Sequence, residues 1–335
     1  GFYDSLVAFD HRMGRIWIIS TGMQADGTRS EQYAKRQLDF WQACLSDHEA
    51  HPVGSPPRST LCAARSAFLS NLTRAQFVAS VDRAQRYIRA GDIYQVNLSQ
   101  RLALPCAMTG WELWRRLSDV SPAPYSAYVD CGDFQVISSS PEQFLRLSGS
   151  HIQTRPIKGT RPRSSDPTRD AQLTYELQTS PKEMAELVMI TDLLRNDLGR
   201  VCEYGSVQVP ELVRLERYAQ VQHLVSTVEG RLRRDVTHFQ AFASCFPGGS
   251  ITGAPKIRAM EIIDELEPIT RGPYTGALGY LGFNRESQLS IIIRTAIHRG
   301  QTAYFHTGAG IVADSVPEAE YEENLAKARG FLAAL

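Results

Sequence analysis

The chain has 335 residues, with 36 basic and 36 acidic side chains, and 43% of its residues are hydrophobic. This length suits one large domain or two ordinary ones, and the apolar fraction is that of a globular protein with a sizeable core. A net charge of zero provides no global field that would attract polyanions or a membrane surface. No apolar run reaches the roughly 18 residues that a membrane-spanning helix needs.

The first residue is Gly1, and no basic segment followed by an apolar one opens the chain. We therefore expect no signal peptide, and we expect the chain to be a fragment or a processed form of a longer protein. Its six cysteines are widely scattered, with no C-x-x-C spacing. Reduced, mostly buried thiols in a cytoplasmic protein are the expectation that follows.

The predicted elements begin with two short strands, YDSLVAFD (3–10) and RIWIIS (15–20), joined by a turn at 11–14. A polar stretch that favours a helix covers residues 30–45. The segment HPVGSPPRST (51–60) follows, and its proline, glycine and serine content predicts a linker.

Beyond the linker, Thr73 begins a segment of helical periodicity that ends at Gly91. The strand IYQVNLSQRLAL (93–104) comes next, and helices then alternate with hairpin-like strands. Two of these hairpins, YSAYVDCGDFQVISSS (125–140) and QFLRLSGSHIQTRPI (143–157), have short turns. Antiparallel neighbours and an α+β fold are therefore expected, rather than the regular alternation of a doubly wound sheet.

The segment RPIKGTRPR (155–163) holds four basic residues among nine. It could bind nucleic acid or phosphate, form a solvated loop, or contribute one charge to a reaction. Zero net charge and the lack of interleaved aromatic residues weigh against nucleic acid.

Two predicted helices each carry glutamates three residues apart. In the first, Ser180 is a suitable N-cap and Pro181 suits the first helical position. Glu183 occupies the position that completes a capping box, and Glu186 lies one turn further along the same face. Carboxylates on a helix face can bind a metal ion, or they can serve only as caps and solvated charges.

In the second of these helices, Ser315 is the predicted N-cap, Pro317 the first helical residue and Glu318 the capping-box residue. Glu320 and Glu323 repeat the spacing of three. Two helices that each offer a carboxylate can hold Mg²⁺, which usually takes one or two protein carboxylates. From the spacing alone, a solvated helix face is the commoner arrangement.

A glycine-rich segment, residues 246–268, is predicted to lead into a helix near Pro255, where free backbone N–H groups can bind an anion. Only two residues separate Gly253 from Lys256, so this is not a nucleotide-binding P-loop. A carboxylate site and a purely structural turn both remain open.

Arg294 stands within the apolar strand-like sequence LSIIIRTAI (289–297). The arginine could face solvent by strand alternation, with Ser290, Ile292 and Ala296 on its face. Because that face is not polar throughout, a buried arginine that forks onto a carboxylate is the alternative.

Five motifs in this order resemble those of the chorismate-utilising enzymes: PIKGT, DLLRNDLGRV, GSITGAPKIRAMEIIDELEP, GALGYLG and HTGAGIVADSVPEAEYEENLAKA. The resemblance covers about residues 73–335 and implies a chorismate-binding catalytic domain there. It implies an α+β fold of two packed, roughly orthogonal antiparallel β-sheets flanked by helices, one site between the sheets, and Mg²⁺. Residues 1–60 resemble the end of the family's N-terminal portion followed by a linker.

The resemblance also implies roles for individual residues. Lys158 would be a nucleophile that attacks C2 of chorismate, since PIKGT is characteristic of the aminodeoxychorismate synthase branch, whereas anthranilate synthases usually have PIAGT. Glu142 would protonate the departing 4-hydroxyl and later act as a base. His223 would lie near the reacting 4-position.

The remaining site residues carry over in the same way. Glu186 and Glu323 would be direct Mg²⁺ ligands, with Glu183 and Glu320 bound through water. The residues expected to contact the substrate are Gly159, Thr160, Ser250, Tyr274, Arg294, Gly308, Ala309 and Gly310.

A nucleophilic lysine must be neutral at the working pH. Three neighbouring arginines, Arg155, Arg161 and Arg163, or burial itself, would lower the pKa of Lys158. The same arginines could instead face solvent.

Gln95 supports the branch of the family that uses ammonia, because a glutamine cannot activate water as a base. The resemblance places a lysine here in isochorismate and salicylate synthases, where it activates water. A glutamine is not a base at neutral pH, so attack by water lacks its usual catalyst.

The implied partners are chorismate, ammonia and a separate glutamine amidotransferase subunit, because the chain has no nucleophilic cysteine motif with a matching His and Glu. No nucleic acid or membrane partner is expected. An anthranilate synthase large subunit is the alternative enzyme, and an inactive homologue that binds an aromatic ligand is the alternative without catalysis.

Overall fold

The computed structural model describes residues 1–46, 68–218 and 221–335. It divides into two compact units, Gly1–Ala64 and Arg65–Leu335. The predicted linker at 51–60 lies outside the described residues. Across the described part of the chain, no helix is both long and apolar enough to span a membrane.

The first unit contains the two predicted strands and the predicted helix. Strands β1 (Ser5–Asp10) and β2 (Arg15–Ser20) form an antiparallel hairpin, and α1 (Glu31–Ser46) packs against it. The indole N–H of Trp41 on α1 donates to the Ser5 hydroxyl at 3.2 Å, which ties the helix to the first strand.

The second unit contains the remaining elements. Its strands are β3 (Leu69–Ser70), β4 (Gln95–Pro105), β5 (Tyr125–Asp130), β6 (Gln135–Ser140), β7 (Gln143–Ser148), β8 (His151–Arg155), β9 (Ile157–Pro162), β10 (Gln208–Arg217), β11 (Val221–Arg231), β12 (Gly253–Ala254), β13 (Ala277–Leu281), β14 (Glu286–Ile291), β15 (Thr295–Arg299) and β16 (Thr302–Ile311). Its helices are α2 (Arg74–Ala90), α3 (Gly110–Val120), α4 (Pro167–Gln178), α5 (Pro181–Gly199), α6 (His238–Cys245), α7 (Lys256–Leu266), α8 (Pro317–Lys327) and α9 (Arg329–Ala334), with a 3₁₀ turn at Gly249–Ile251.

Among the described residues of the second unit, the strands form two antiparallel sheets of seven strands each. The first sheet has the order β10-β11-β8-β7-β14-β13, with β9 paired to β11. The second has the order β12-β4-β16-β15-β6-β5, with β3 paired to β4. The predicted α+β fold with antiparallel sheets and helices is confirmed.

Helices cover the sheets through apolar side chains at helical spacing. On α5, Ile190, Leu194 and Leu198 are buried in one core cluster with Phe144 and Leu145 of β7. A second cluster joins α2 and α7 to β4 and β16, and a third joins α3 and α9 to β6, β15 and β16. Helix α5 buries its apolar stripe and leaves Glu183 and Glu186 half-buried, whereas the buried residues of α8 are polar and include Glu320 itself.

The predicted start and end of α2 are confirmed. Thr73 accepts from the Gln76 backbone N–H in a capping box, and Gly91 ends the helix at a φ of 84°. Such a left-handed conformation favours glycine, because a Cβ would clash with the backbone there.

Two predicted capping interactions are wrong. Ser180 does cap α5, but the Glu183 side chain accepts from Arg161 instead of returning to the cap. Helix α8 begins at Pro317 as predicted, yet its N-cap is Val316, with no side-chain bond. Ser315 instead donates to a Glu320 carboxylate oxygen at 2.7 Å. In both helices a nearby charged or hydroxyl group competes for the capping side chain.

The cysteine prediction is confirmed in part. Cys106, Cys202 and Cys245 are buried, and all five described cysteines are free thiols. Cys44 on α1 and Cys131 in the turn after β5 are exposed instead, because no element among the described residues covers them.

Candidate active site

A cavity of about 570 Å³ lies within the second unit and is lined by residues of both sheets. This volume is in the range of small-molecule sites. We call it the central cavity. Strands β9 and β11 of the first sheet, β16 of the second, and helices α5 and α8 all contribute to its wall.

Fourteen of the predicted site residues line the central cavity: Glu142, Lys158, Gly159, Thr160, Glu183, Glu186, His223, Ser250, Tyr274, Arg294, Gly308, Gly310, Glu320 and Glu323. Ala309 is the exception. Its side chain is fully buried in the core cluster with Phe77 and Val81 of α2. Successive side chains of a strand point to opposite faces, so Gly308 and Gly310 meet the cavity and Ala309 faces away from it.

Lys158 lies on β9 with its amine inside the central cavity. Its Nζ is 3.6 Å from Oε2 of Glu186, and the side chain is 14% exposed. Gly310 leaves the space that the neighbouring Gln95 amide needs, because a Cβ there would lie 2.5 Å from the Gln95 amide nitrogen, whereas its 3.6 Å distance to the Lys158 Nζ would be an ordinary contact. Gln95 is itself buried and donates to Oε2 of Glu186 at 3.3 Å.

The glycine after Lys158 has a conformational reason. Gly159 has a φ of 66°, and a Cβ there would lie 2.7 Å from Leu177 and 3.1 Å from the Glu183 carboxylate. A side chain at this position would therefore be strained and would displace a predicted metal ligand.

The three arginines of the basic segment all form ion pairs with carboxylates. Arg161 contacts Glu183 at 3.3 Å, and Arg163 contacts Asp170 at 2.9 Å. Arg155 pairs with Glu216. Of these three arginines, only Arg161 belongs to the wall of the central cavity. The ion pairs of Arg155 and Arg163 lie outside that wall.

Glu142 is a buried carboxyl that can act as an acid at neutral pH. Burial raises the pKa of Glu142 to about 7, against the opposing effects of the Ser250 hydroxyl, Lys158 and the Ile157 backbone N–H. A carboxyl with a pKa near the working pH exists in both forms and can both donate and accept a proton.

His223 is a neutral imidazole at neutral pH. Burial lowers the pKa of His223 to about 4, with a smaller opposing effect from the Gly159 backbone. Its Nδ1 lies 2.9 Å from the Thr160 hydroxyl on the adjacent strand. The ring can therefore hydrogen-bond or accept a proton, but it does not carry the charge of an imidazolium acid.

The four predicted metal ligands each pair with a cation. Glu183 contacts Arg161 at 3.3 Å and Glu186 contacts Lys158 at 3.6 Å. The two pairs on α8 are Glu320 with Lys182 at 3.3 Å and Glu323 with Lys327 at 2.8 Å.

Burial raises the pKa of Glu186. Burial acts in the same direction on Glu323, but the ion pair with Lys327 and the charges of Lys182 and Lys158 together hold the pKa of Glu323 below its ordinary value.

These carboxylates suit a magnesium ion by their chemistry. Within the described residues, no three His, Cys, Asp or Glu side chains are grouped as a ready metal site. Mg²⁺ does not need such a group, because it keeps several water or substrate oxygens and takes only one or two protein carboxylates. Glu186 on α5 and Glu323 on α8 line the same cavity and can supply them.

Arg294 does not lie within a strand, so that prediction is wrong. The residue falls between β14 and β15 with a φ of 51°, and its Nη1 donates to the backbone oxygen of Lys327 at 2.7 Å. Burial lowers the pKa of Arg294. The left-handed backbone turns the guanidinium into the central cavity, so it neither faces solvent nor forks onto a carboxylate.

Tyr274 is held by two side chains, and a glycine leaves room for its hydroxyl. Its ring stacks on His306 with centroids 5.1 Å apart, and its hydroxyl bonds the Asn97 side chain. Gly308 leaves room for that hydroxyl, since a Cβ there would lie 2.7 Å from it.

Several cavity residues were missed from the sequence: Asn97, Lys182, His306 and Lys327. Lys182 precedes Glu186 by four residues and Lys327 follows Glu323 by four. Residues at this spacing share one helix face, so the spacing could have placed both lysines beside the predicted glutamates. His306 stands two residues before Gly308 on β16, and strand alternation could have placed it on the same face as this glycine.

Comparison with known proteins matches the chain to one family. The family described as chorismate binding enzyme matches residues 1–333. Anthranilate synthase component 1 of Thermus thermophilus is 43% identical over 330 residues, which are 98% of this chain and 69% of that protein. Aminodeoxychorismate synthase component 1 of Bacillus subtilis is 39% identical over 333 residues, which are 99% of this chain and 69% of that protein.

A solved structure supports the fold. The crystal structure of anthranilate synthase component I from Streptococcus pneumoniae superposes with a TM-score of 0.84 at 34% identity, and the match covers 98% of this chain and 72% of that one.

Proposed function

Since the chain belongs to the family of chorismate binding enzymes, we propose that it is an aminodeoxychorismate synthase component 1. It converts chorismate and ammonia into 4-amino-4-deoxychorismate, the precursor of para-aminobenzoate for folate synthesis. Lys158 is the observation that carries this choice, because its amine stands in the central cavity within 3.6 Å of Glu186. A covalent route through an amine needs a lysine at this place.

The proposed reaction has two displacements. The Lys158 amine, in its neutral form, adds to C2 of chorismate, the ring double bonds shift, and the 4-hydroxyl leaves. Glu142 gives its proton to that hydroxyl, so that water departs. Ammonia then adds at C4 and gives up a proton to the Glu142 carboxylate, while the double bonds shift back and the lysine leaves. Chorismate and ammonia thus give aminodeoxychorismate and water.

The other cavity residues bind and orient the substrate in this proposal. Arg294 and Tyr274 hold the enolpyruvyl carboxylate together with the backbone beside Gly308 and Gly310. Glu186 and Glu323 would hold Mg²⁺, with Glu183 and Glu320 bound through water. When bound, the ion supplies a positive charge for the ring carboxylate of chorismate. Ammonia would come from a separate glutamine amidotransferase subunit.

A product assay tests the proposal. The protein is incubated with chorismate, Mg²⁺ and ammonium, and both products and intact protein are followed by mass spectrometry. We expect aminodeoxychorismate and a covalent adduct on the wild type. Lys158→Ala is expected to lose the adduct and most of the product, whereas Lys35→Ala on α1 keeps both. A wild type without adduct and a Lys158→Ala variant at full rate would remove the lysine from the mechanism.

An anthranilate synthase large subunit is the second candidate. The 43% identity to the Thermus thermophilus protein of that name favours it. It predicts ortho-aminobenzoate and pyruvate from the same mixture. Because ortho-aminobenzoate is fluorescent, its appearance as the dominant product would decide for this candidate.

A further inference from the structure

Arg271 lies outside the central cavity but bonds to the elements that form its wall. Its Nε and Nη2 bind both carboxylate oxygens of Glu267 at 2.8 and 2.7 Å. Nη1 donates to the Ile251 carbonyl at 3.1 Å and the Thr275 hydroxyl at 3.3 Å, and Nη2 donates to the Asn97 carbonyl at 2.6 Å. All five N–H donors of the guanidinium are therefore used.

The pair is buried and well matched. Arg271 is 14% exposed and Glu267 is 6% exposed. Glu267 also accepts from the Ser99 backbone N–H on β4 at 2.8 Å. A bidentate, buried pair that is fully hydrogen-bonded fixes geometry as well as charge. Helix α7, strand β4, the 3₁₀ turn and the segment before β13 are thereby joined at one point.

The atoms that this arginine holds belong to the neighbours of cavity residues. Ile251 follows Ser250, whose hydroxyl bonds the Glu142 carboxyl. The Asn97 side chain donates to the Ile251 carbonyl at 3.2 Å and also bonds the Tyr274 hydroxyl. The acid and the tyrosine of the cavity thus depend on backbone groups that the guanidinium fixes.

Thr275 supplies a second, independent sign of constraint. Its φ is 64°, a conformation that a β-branched residue rarely adopts. Such strain persists only where the surroundings over-determine it. Here the Arg271 guanidinium donates to the Thr275 hydroxyl, and the Thr275 N–H donates to the Ile292 carbonyl at 2.8 Å. The strained residue directly follows Tyr274, whose ring lies 5.7 Å from the Arg271 guanidinium.

We propose that Arg271 is a positioning residue of the active site, which sets Ser250, Asn97 and Tyr274 relative to one another. The inference rests on the proposed use of the central cavity for chorismate, and it holds for either amination product. It assigns no contact between Arg271 and the substrate. Its effect is on the placement of the groups that bind the enolpyruvyl carboxylate and hydrogen-bond the acid.

Arg271→Lys is the first test, because it keeps the charge and removes the planar fork. We expect kcat/KM for chorismate consumption to fall about 100-fold, since misplacement of a positioning group by about 1 Å has an effect of this size. The KM for chorismate should rise at temperatures where the variant is still fully folded. A loss of activity that only follows unfolding, with unchanged KM below it, would show a structural role alone.

Thr275→Gly is the second test and does not depend on the first variant folding. Glycine adopts a positive φ without steric cost, which offsets part of the loss of the Thr275 hydroxyl bonds, so the variant is expected to remain folded at the assay temperature. We nevertheless expect a raised KM, because the Arg271 donor loses its acceptor beside Tyr274. Arg285→Gly is the matched control, because it relieves a side chain at a similar positive φ of 62° in the turn before β14, outside the cavity wall. Its KM should not change.

Crystal structures of the variants separate this inference from the proposed function. We expect Arg271→Lys to lose the Tyr274 bond to Asn97 and the stacking on His306. If both variants keep the wild-type kinetics and the wild-type position of Tyr274, the inference is wrong. A wild type that neither binds nor consumes chorismate contradicts the proposed function. In that case, the position of Tyr274 in the Arg271→Lys structure still tests whether Arg271 positions this residue.

Discussion

Glu142 shows how one buried carboxyl joins stability to chemistry. Burial raises the pKa of Glu142 from an ordinary value of 4.5 to about 7, so the folded protein binds this proton more tightly than the unfolded chain does. The resulting stabilisation is complete below about pH 4.5 and is lost as the pH rises through 7. A change of this size corresponds to about 3 kcal/mol. The site holds a carboxyl that is costly to ionise and ready to donate.

Glu142→Gln tests both consequences. We expect kcat to fall by about 10²–10⁴-fold, the usual contribution of a general acid or base. The wild-type decline in kcat/KM as the pH rises through 7 should disappear in the variant. The variant should also gain Tm relative to the wild type between pH 5 and 8, because glutamine has no proton to lose. Glu261→Gln, on the exposed side of α7, is the control. An unchanged kcat would exclude Glu142 as the acid.

At the scale of elements, one buried ion pair ties α5 to α7. The Lys256 amine at the start of α7 lies 2.7 Å from the Asp197 carboxylate near the end of α5, and it also donates to the Cys245 carbonyl at 3.1 Å. Helix α5 carries Glu183 and Glu186, whereas α7 follows the turn that carries Ser250. The pair therefore connects the helix that carries two of the proposed metal ligands to the turn beside Glu142.

Lys256→Met should destabilise the protein by about 3–5 kcal/mol, because it leaves a buried carboxylate unpaired. The loss should shrink as the pH falls, since protonation of Asp197 removes the unpaired charge. The double variant with Asp197→Asn should recover much of it. Arg195→Met, which breaks an exposed pair with Asp192 on α5, should cost less than about 1 kcal/mol. The free energy of unfolding is measured in urea for the wild type, the two single variants and the double variant. Equal losses in Lys256→Met and Arg195→Met would contradict the role of burial.

The elements also show what local sequence could and could not predict. The periodicity that begins at Thr73 and the glycine at its end determine α2, because all the relevant contacts are local. The cap at Ser315 failed for the opposite reason. Its hydroxyl bonds Glu320, and that carboxylate also meets Lys182 from α5, which is 138 residues away. The sequence around a capping residue does not show whether its side chain will bond the helix end or a group that a distant segment holds in place.

At the scale of the whole second unit, the site exists only because two sheets and two helices meet. Glu142 and Glu323 are far apart in sequence and yet line one cavity. The family resemblance of the motifs predicted that they share one site. Residue spacing alone predicted only that the glutamates of α5 and of α8 each lie on one face of their helix. What no pattern supplied was the φ of 51° at Arg294, which aims the guanidinium inward. A conformation that depends on packing of both neighbouring strands is not visible in a single strand-like sequence.

The four glutamates of α5 and α8 in the cavity wall are matched in number by the basic side chains that contact them. Each has one cationic partner within 4 Å. A divalent cation alone would therefore bring excess positive charge into a partly buried site, and chorismate alone would bring the charge of two carboxylates. Bound together, they cancel. Each should thus bind more tightly in the presence of the other, and by the same factor.

Thermal unfolding of the whole chain measures this coupling. Mg²⁺ alone and chorismate alone should each raise the Tm slightly, and the two together should raise it by more than the sum, because stabilisation follows the affinity of the folded state for each ligand. Glu186→Gln should reduce the excess, while Glu261→Gln should keep it. Sodium chloride at matched ionic strength controls for screening. Strictly additive shifts would mean that the metal ion and the substrate do not share the charge of this cavity.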